Sequence, residues 1–225
     1  MHKLIIIFLL LASSLYAQNN EPFKTTRYLE DQLYIGLSYI TILNAPEGVS
    51  QNGFSNGFAL GFIKDLPLND KGNLAFGIGL GYGRNTYFQN IKISKPDLGT
   101  VFEILEDGEF KNNKFSSHNI EFPIEFRWRT STLEKYKFWR IYTGAKISYS
   151  FYNNAKLKQD TNTFKISGIS EIRNLQYGLT MAVGYGTWNF NFYYGLSDLF
   201  SDAYLTEWTP IKINDFRIGL IFYIL

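Results

Sequence analysis

Asn119-Ile120-Glu121-Phe122-Pro123-Ile124-Glu125-Phe126-Arg127-Trp128-Arg129 alternates without a break. Ile120, Phe122, Ile124, Phe126 and Trp128 fall on one side, and Asn119, Glu121, Pro123, Glu125, Arg127 and Arg129 on the other. Side chains of an extended chain point to opposite faces with period two, so this stretch is a strand with one apolar and one charged face. No helical periodicity fits it.

The same split recurs on either side. In 74–88, Leu74, Phe76, Ile78, Leu80 and Tyr82 oppose Ala75, Gly77, Gly79, Gly81 and Gly83. In 139–151, Trp139, Ile141, Ala145, Ile147, Tyr149 and Phe151 oppose Arg140, Tyr142, Gly144, Lys146 and Ser148. Stretches 175–185 and 188–197 repeat the pattern, and the last, around 212–225, sets Phe216, Ile218, Leu220, Phe222 and Ile224 against Arg217 and Gly219. Two earlier runs are weaker. Leu33, Ile35, Leu37 and Tyr39 share a face before the pattern blurs at Ile40 and Ile42, and Phe58, Leu60 and Phe62 oppose Gly57, Ala59 and Gly61. Eight strands result, an even number, as in single-chain bacterial barrels. The linkers, at 43–53, 66–72, 90–114, 130–137, 153–171, 186–187 and 199–210, alternate strictly between long and short. That is the asymmetry of long extracellular loops and short periplasmic turns.

Lys3, the apolar run Leu4 to Ala12 and the small residues up to Ala17 predict a signal peptide over 1–17. Residues 18–31, polar and carrying Pro22, then form a periplasmic lead-in, and 32–225 the barrel. After the signal, no stretch reaches the ~18–20 apolar residues of a spanning helix. The chain has no cysteine, which excludes disulfides, thiolate metal sites and cysteine catalysis. Its 22 basic and 20 acidic residues leave a net charge of +2 with no basic run, so nucleic acid is not an expected partner.

Eight strands behind a signal peptide suit two barrels. A membrane barrel is apolar outside, whereas a soluble lipocalin-like barrel is apolar inside. Three features select the first. Gly77, Gly79, Gly81 and Gly83 line the polar face of one strand, which suits a narrow lumen crowded by long side chains. Trp128, Trp139, Tyr185 and Trp188 all stand beside short connections and so share one rim, as the aromatic girdle at a membrane interface does. The chain also ends on a strand whose Arg217, Gly219, Phe222 and Ile224 have the polar, glycine, aromatic and hydrophobic spacing of an outer-membrane assembly signal. The expected fold is all-β: an eight-stranded antiparallel transmembrane β-barrel with long extracellular loops and short periplasmic turns.

An eight-stranded barrel is only wide enough for its own side chains. Glu121, Glu125, Arg127, Arg129, Arg140, Lys146 and Arg217 are therefore expected to fill the lumen as an ionic network, with a gated path as the alternative. Pro123 costs a ladder hydrogen bond, so a local bulge or an unpaired carbonyl is expected there. His118, beside Ser116 and Ser117, is the one candidate for rim catalysis, but no nucleophile motif accompanies it and no catalytic residue is expected. Asp97, Glu103, Glu106, Asp107 and Glu109 share a loop but match no calcium-loop spacing, so neither a metal nor another cofactor is expected.

Residues 120–132 and 137–144, with Gly79-Leu80-Gly81-Tyr82-Gly83 and the final strand, resemble the PorT-like family of outer-membrane barrels. The resemblance spans about 32 to 225. It implies an integral, multi-pass outer-membrane protein of a Gram-negative cell, in a family named for a component of type IX protein secretion. The partners it implies are outer-membrane lipid, the outer-membrane assembly machinery and type IX secretion components. It offers no catalytic motif to carry over, and a stand-alone structural or porin-like barrel stays open beside the secretion role.

Overall fold

The computed structural model describes residues 31–96, 99–130, 138–206 and 208–224. The expected signal peptide, nearly all of the 18–31 segment and most of the 130–137 turn lie outside them. Eleven strands occur among the described residues: β1 (Gln32–Leu43), β2 (Asn56–Pro67), β3 (Leu74–Phe88), β4 (Ile91–Ser94), β5 (Val101–Ile104), β6 (Asn112–Arg129), β7 (Trp139–Lys158), β8 (Thr163–Ser167), β9 (Leu175–Tyr185), β10 (Trp188–Gly195) and β11 (Asn214–Ile224).

Eight of them close a barrel in the order β1-β2-β3-β6-β7-β9-β10-β11, each antiparallel to its neighbours. Closure comes from β1 on β11, with Leu33 opposite Ile224 and Leu43 opposite Asn214. No backbone edge is left in this ring, which is the condition for strands to cross a hydrocarbon layer. Outward positions along the membrane-crossing part of β6, Ile120 to Trp128, are exposed and apolar. Their nine-residue reach matches the ~9–11 residues of a tilted spanning strand.

The remaining three strands correct the expected loops. The 90–114 linker contains the β4–β5 hairpin and the first residues of β6, and the 153–171 linker contains the end of β7 and all of β8. β6 and β7 therefore rise well beyond the barrel. Their polarity inverts as they do so: Phe115, Ala155 and Leu157 point inward and are buried, while Lys114 and Lys156 lie on the other face. Such a segment reads as a polar loop because its apolar positions are few and interrupted.

Over the mouth of the barrel the long connections converge on one apolar cap. Ile40, Tyr87, Ile91, Phe102, Phe115, Ile169, Phe200, Leu205 and Ile213 are among its buried members. Tyr87 stacks on Phe115 at 4.6 Å, and Phe200 sits edge-on to Phe115 at 5.2 Å and to Phe102 at 5.8 Å. Buried asparagines tie the loops down. The Asn153 amide accepts from the Ile169 N–H at 2.7 Å and donates to its carbonyl at 3.0 Å. Asn90 holds the Ser50 N–H at 2.8 Å and the Gly48 carbonyl at 2.9 Å.

At Pro123 the register is continuous with Lys146 of β7, so the expected bulge is not there. On the β3 side the pairing skips from Ile78–Ile124 to Gly81–Glu121 without a register shift, which is how the missing N–H is absorbed. The bulge falls instead between His118 and Asn119, opposite Phe151.

Candidate functional site

The glycine row on β3 leaves room for long inward side chains of its neighbour β6. A methyl group on Gly77 would stand 2.7 Å from Arg127 Nε, and one on Gly83 would overlap the Glu121 carboxylate. Small residues on one strand thus make room for charged ones on the next. The seven charged residues singled out from the sequence all lie on inward positions, but they form separate sets rather than one network.

Nearest the short turns, Arg127 Nη1 and Arg129 Nη2 donate to the two oxygens of Asp65 at 3.0 and 2.6 Å. Arg127 Nε donates to Glu125 at 3.0 Å, and its guanidinium lies 4.6 Å from the ring centre of Tyr142. Arg129 also reaches the Gly72 carbonyl at 2.8 Å. Half-way up, Lys146 Nζ donates to both oxygens of Glu121 at 3.0 Å. Closest to the cap, Arg217 donates to Asp215 at 2.7 Å and to Asn85 at 2.8 Å, while the Tyr87 hydroxyl donates to Asp215 at 3.0 Å. Arg140 stands apart: it donates to the Gly186 carbonyl at 2.6 Å and stacks on Phe138 at 4.3 Å.

Asp65 and Asp215 are the members that pattern reading missed. Asp215 was within reach, because a period of two puts it on the face of Arg217. Asp65 lies between the end of the readable alternation at Phe62 and the 66–72 linker, so no pattern assigns it a face. Both carboxylates are fully buried and salt-bridged to arginine. Buried charges persist only when paired in this way. A space of about 50 Å³ lies among Tyr34, Glu121, Lys146, Tyr193 and Arg217, room for a few waters.

At the turn end, Trp139 and Tyr185 stand opposite each other with rings 5.4 Å apart, and Trp188 is paired with Tyr185 and meets Phe222 at 5.6 Å. Trp128 lies on the adjoining β6, and all four aromatics are exposed. Of the C-terminal set, Arg217 is buried in the lumen, Phe222 packs on Trp188, and Ile224 is exposed. A side chain on Gly219 would collide with the Leu37 carbonyl of β1, so close strand approach explains that glycine.

His118 sits where the barrel meets the cap. Its Nδ1 is 2.7 Å from the Tyr82 hydroxyl, and Tyr152 and Phe151 surround it. Ser116 bonds Thr86 and Ser117 accepts from Asn119, so neither serine engages the imidazole. Asp97 lies outside the described residues; Glu103 pairs with Lys92 at 2.7 Å. Among the described residues, no group of three or more metal-ligating side chains assembles. Between the β4–β5 hairpin and the β7–β8 extension runs an open cleft of about 1240 Å³, lined by Glu47, Lys92, Ile104, Leu157, Phe164 and Leu205 among others.

A closed ring of eight antiparallel strands, apolar outside and filled with ion pairs inside, defines an outer-membrane β-barrel protein. The sequence matches the outer membrane protein beta-barrel domain over residues 16–201, and the chain belongs to that family. No curated protein matches it. Among solved structures it aligns with Ail, the attachment invasion locus protein of Yersinia pestis, at 12% identity and a TM-score of 0.39, covering 87% of this chain and 99% of that one.

Proposed function

We propose that this barrel conducts nothing and catalyses nothing, and that it works through protein contacts at its extracellular cap as an accessory component of type IX secretion or envelope biogenesis. The observation that carries this reading is the contrast between the two ends of the bore. The lumen is packed with side chains and roofed by apolar residues, whereas the cap carries a cleft of about 1240 Å³. That volume exceeds the ~300–1,000 Å³ of ordinary small-molecule pockets and suits a polypeptide segment. One wall of the cleft carries β8, which ends its sheet and leaves an edge to which an extended chain can add. The resemblance to the PorT-like family supplies the secretion context. Assembly through the C-terminal set and residence in outer-membrane lipid of a Gram-negative cell belong to the same proposal.

The cleft also favours a second reading, a stand-alone barrel that binds a ligand at the cell surface. A clean deletion compared with a complemented strain separates the two. Periplasmic accumulation of proteins bearing the type IX signal, measured by mass spectrometry, is the expected result. An unchanged set of secreted proteins would leave the stand-alone reading.

A further inference from the structure

Above the aromatic ring formed by Tyr82, Phe151 and Tyr152, the outward wall of β3, β6, β7 and β8 carries only neutral and basic side chains. The register stacks them in rows. Lys114 of β6 is paired with Lys156 of β7, and Lys156 with Lys165 of β8, so three lysines stand side by side across three strands. Toward the membrane comes a neutral polar row, in which Thr86, Ser116, Asn154 and Ser167 are paired in turn. Below that, Arg84 is paired with His118. The only acids on these four strands, Glu121 and Glu125, point into the lumen.

Like charges placed directly opposite on neighbouring strands destabilise a sheet. Protection of an open edge accounts for a lysine on β8. It does not account for Lys114 and Lys156, whose strands are paired on both sides. Partial burial, then repulsion from Lys156 and Arg84, holds the Lys114 ammonium below the usual lysine range. The Phe88 ring, 5.0 Å from Lys114 Nζ, offsets part of that cost but carries no net charge, and with no carboxylate facing the row the counter-charge is left to an external group.

The height of the patch says what supplies it. Four residues separate the Arg84 row from the lysine row, about 13 Å along a strand and about 10 Å of height at the tilt of a membrane barrel. The headgroup layer adds about 5–8 Å to each side of the hydrocarbon core. Headgroup phosphates therefore lie between Arg84 and the lysines. We propose that this face binds the phosphate of an outer-leaflet lipid, held by Lys114, Lys156 and Lys165 from above and Arg84 from below, with Asn154 and Ser167, the solvent-reaching members of the neutral row, supplying hydrogen bonds. The site rests on the membrane orientation of the barrel and is independent of any role in secretion.

The test uses the barrel in phosphatidylcholine nanodiscs doped with lipid A, either phosphorylated or with its phosphates removed, and counts retained lipid A by native mass spectrometry. The wild type is expected to retain the phosphorylated form selectively. Replacing all three lysines (Lys114→Gln, Lys156→Gln, Lys165→Gln) is expected to weaken retention on the order of a hundredfold, at about fivefold per basic residue. The matching triple replacement by arginine keeps the charge and should keep the lipid. If the glutamine variant does not fold, Lys165→Gln alone, on the terminal strand, is expected to lose about fivefold. Equal retention of the dephosphorylated lipid, or unaltered retention by a folded glutamine variant, overturns the proposal. Displacement of the lipid by millimolar inorganic phosphate overturns it as well, because the face would then be a site for free anions.

Discussion

The membrane band and the cap are built from the same strands in the same phase, yet their insides and outsides are exchanged. On β6 every odd residue from Asn113 to Arg129 points inward. In the band those residues are Glu121, Pro123, Glu125, Arg127 and Arg129, and lipid-facing Phe122, Ile124, Phe126 and Trp128 lie between them. In the cap the inward residue is Phe115 and the outward one is Lys114. What changes over these few residues is the surrounding solvent. Hydrocarbon outside leaves the interior as the place for charge, and water outside restores the ordinary order with apolar groups within. Each region should therefore fail in its own way.

The most damaging change belongs to the band. Glu121→Gln keeps the shape of the side chain but leaves Lys146 without its carboxylate, beside Arg217, with both cations over the Tyr193 ring at 5.0 and 4.4 Å. Breaking a buried pair from one side costs about 3–5 kcal/mol. Urea unfolding of the barrel in detergent micelles, followed by tryptophan fluorescence, should register a loss of that size. A loss below about 1 kcal/mol would mean that the lumen behaves like a surface, and the contrast with the cap would disappear.

Phe200→Ala addresses the cap. It removes the ring that joins Phe102 to Phe115 and should cost near the lower end of about 3–5 kcal/mol, because the adjacent cleft lets the site collapse. The two regions differ in where that loss is felt. Hydrogen exchange should accelerate in 90–106 and 199–213, while the unfolding midpoint of the band stays in place. A fall in the band midpoint by the same amount would make cap and band one cooperative unit.

The band was legible because membrane strands carry the strongest form of the alternation signal, and all eight were readable from it. The cap was legible only as an irregularity. The pattern of the first strand blurs at Ile40, a fully buried residue, because that side chain points inward into the apolar cap rather than the polar lumen. Ile91, Ile93, Phe102 and Ile104 form a hairpin too short for its alternation to stand out from a charged loop. The lumen was half readable for a related reason. Glu125 with Arg127, and Asp215 with Arg217, are neighbours two residues apart on one face. The Asp65 contacts to Arg127 and Arg129 join strands more than sixty residues apart in the chain, and a period of two carries no such information.

The smallest effect gives the sharpest comparison, because it repeats the same chemistry in the other region. Lys92 and Glu103 pair at 2.7 Å on the β4–β5 hairpin, closer than Lys146 and Glu121 at 3.0 Å. Distance alone would make the cap pair the stronger. Its side chains are 36% and 41% exposed, however, against 12% and 2% in the lumen. Water already solvates both charges and salt screens them, so Glu103→Gln should cost less than about 1 kcal/mol. At 1 M salt, where the screening length is about 3 Å, even that should vanish, while the Glu121→Gln loss persists. A loss at Glu103 as large as that at Glu121 would mean that the cleft excludes water, making the cap a second dry interior rather than a wet mouth.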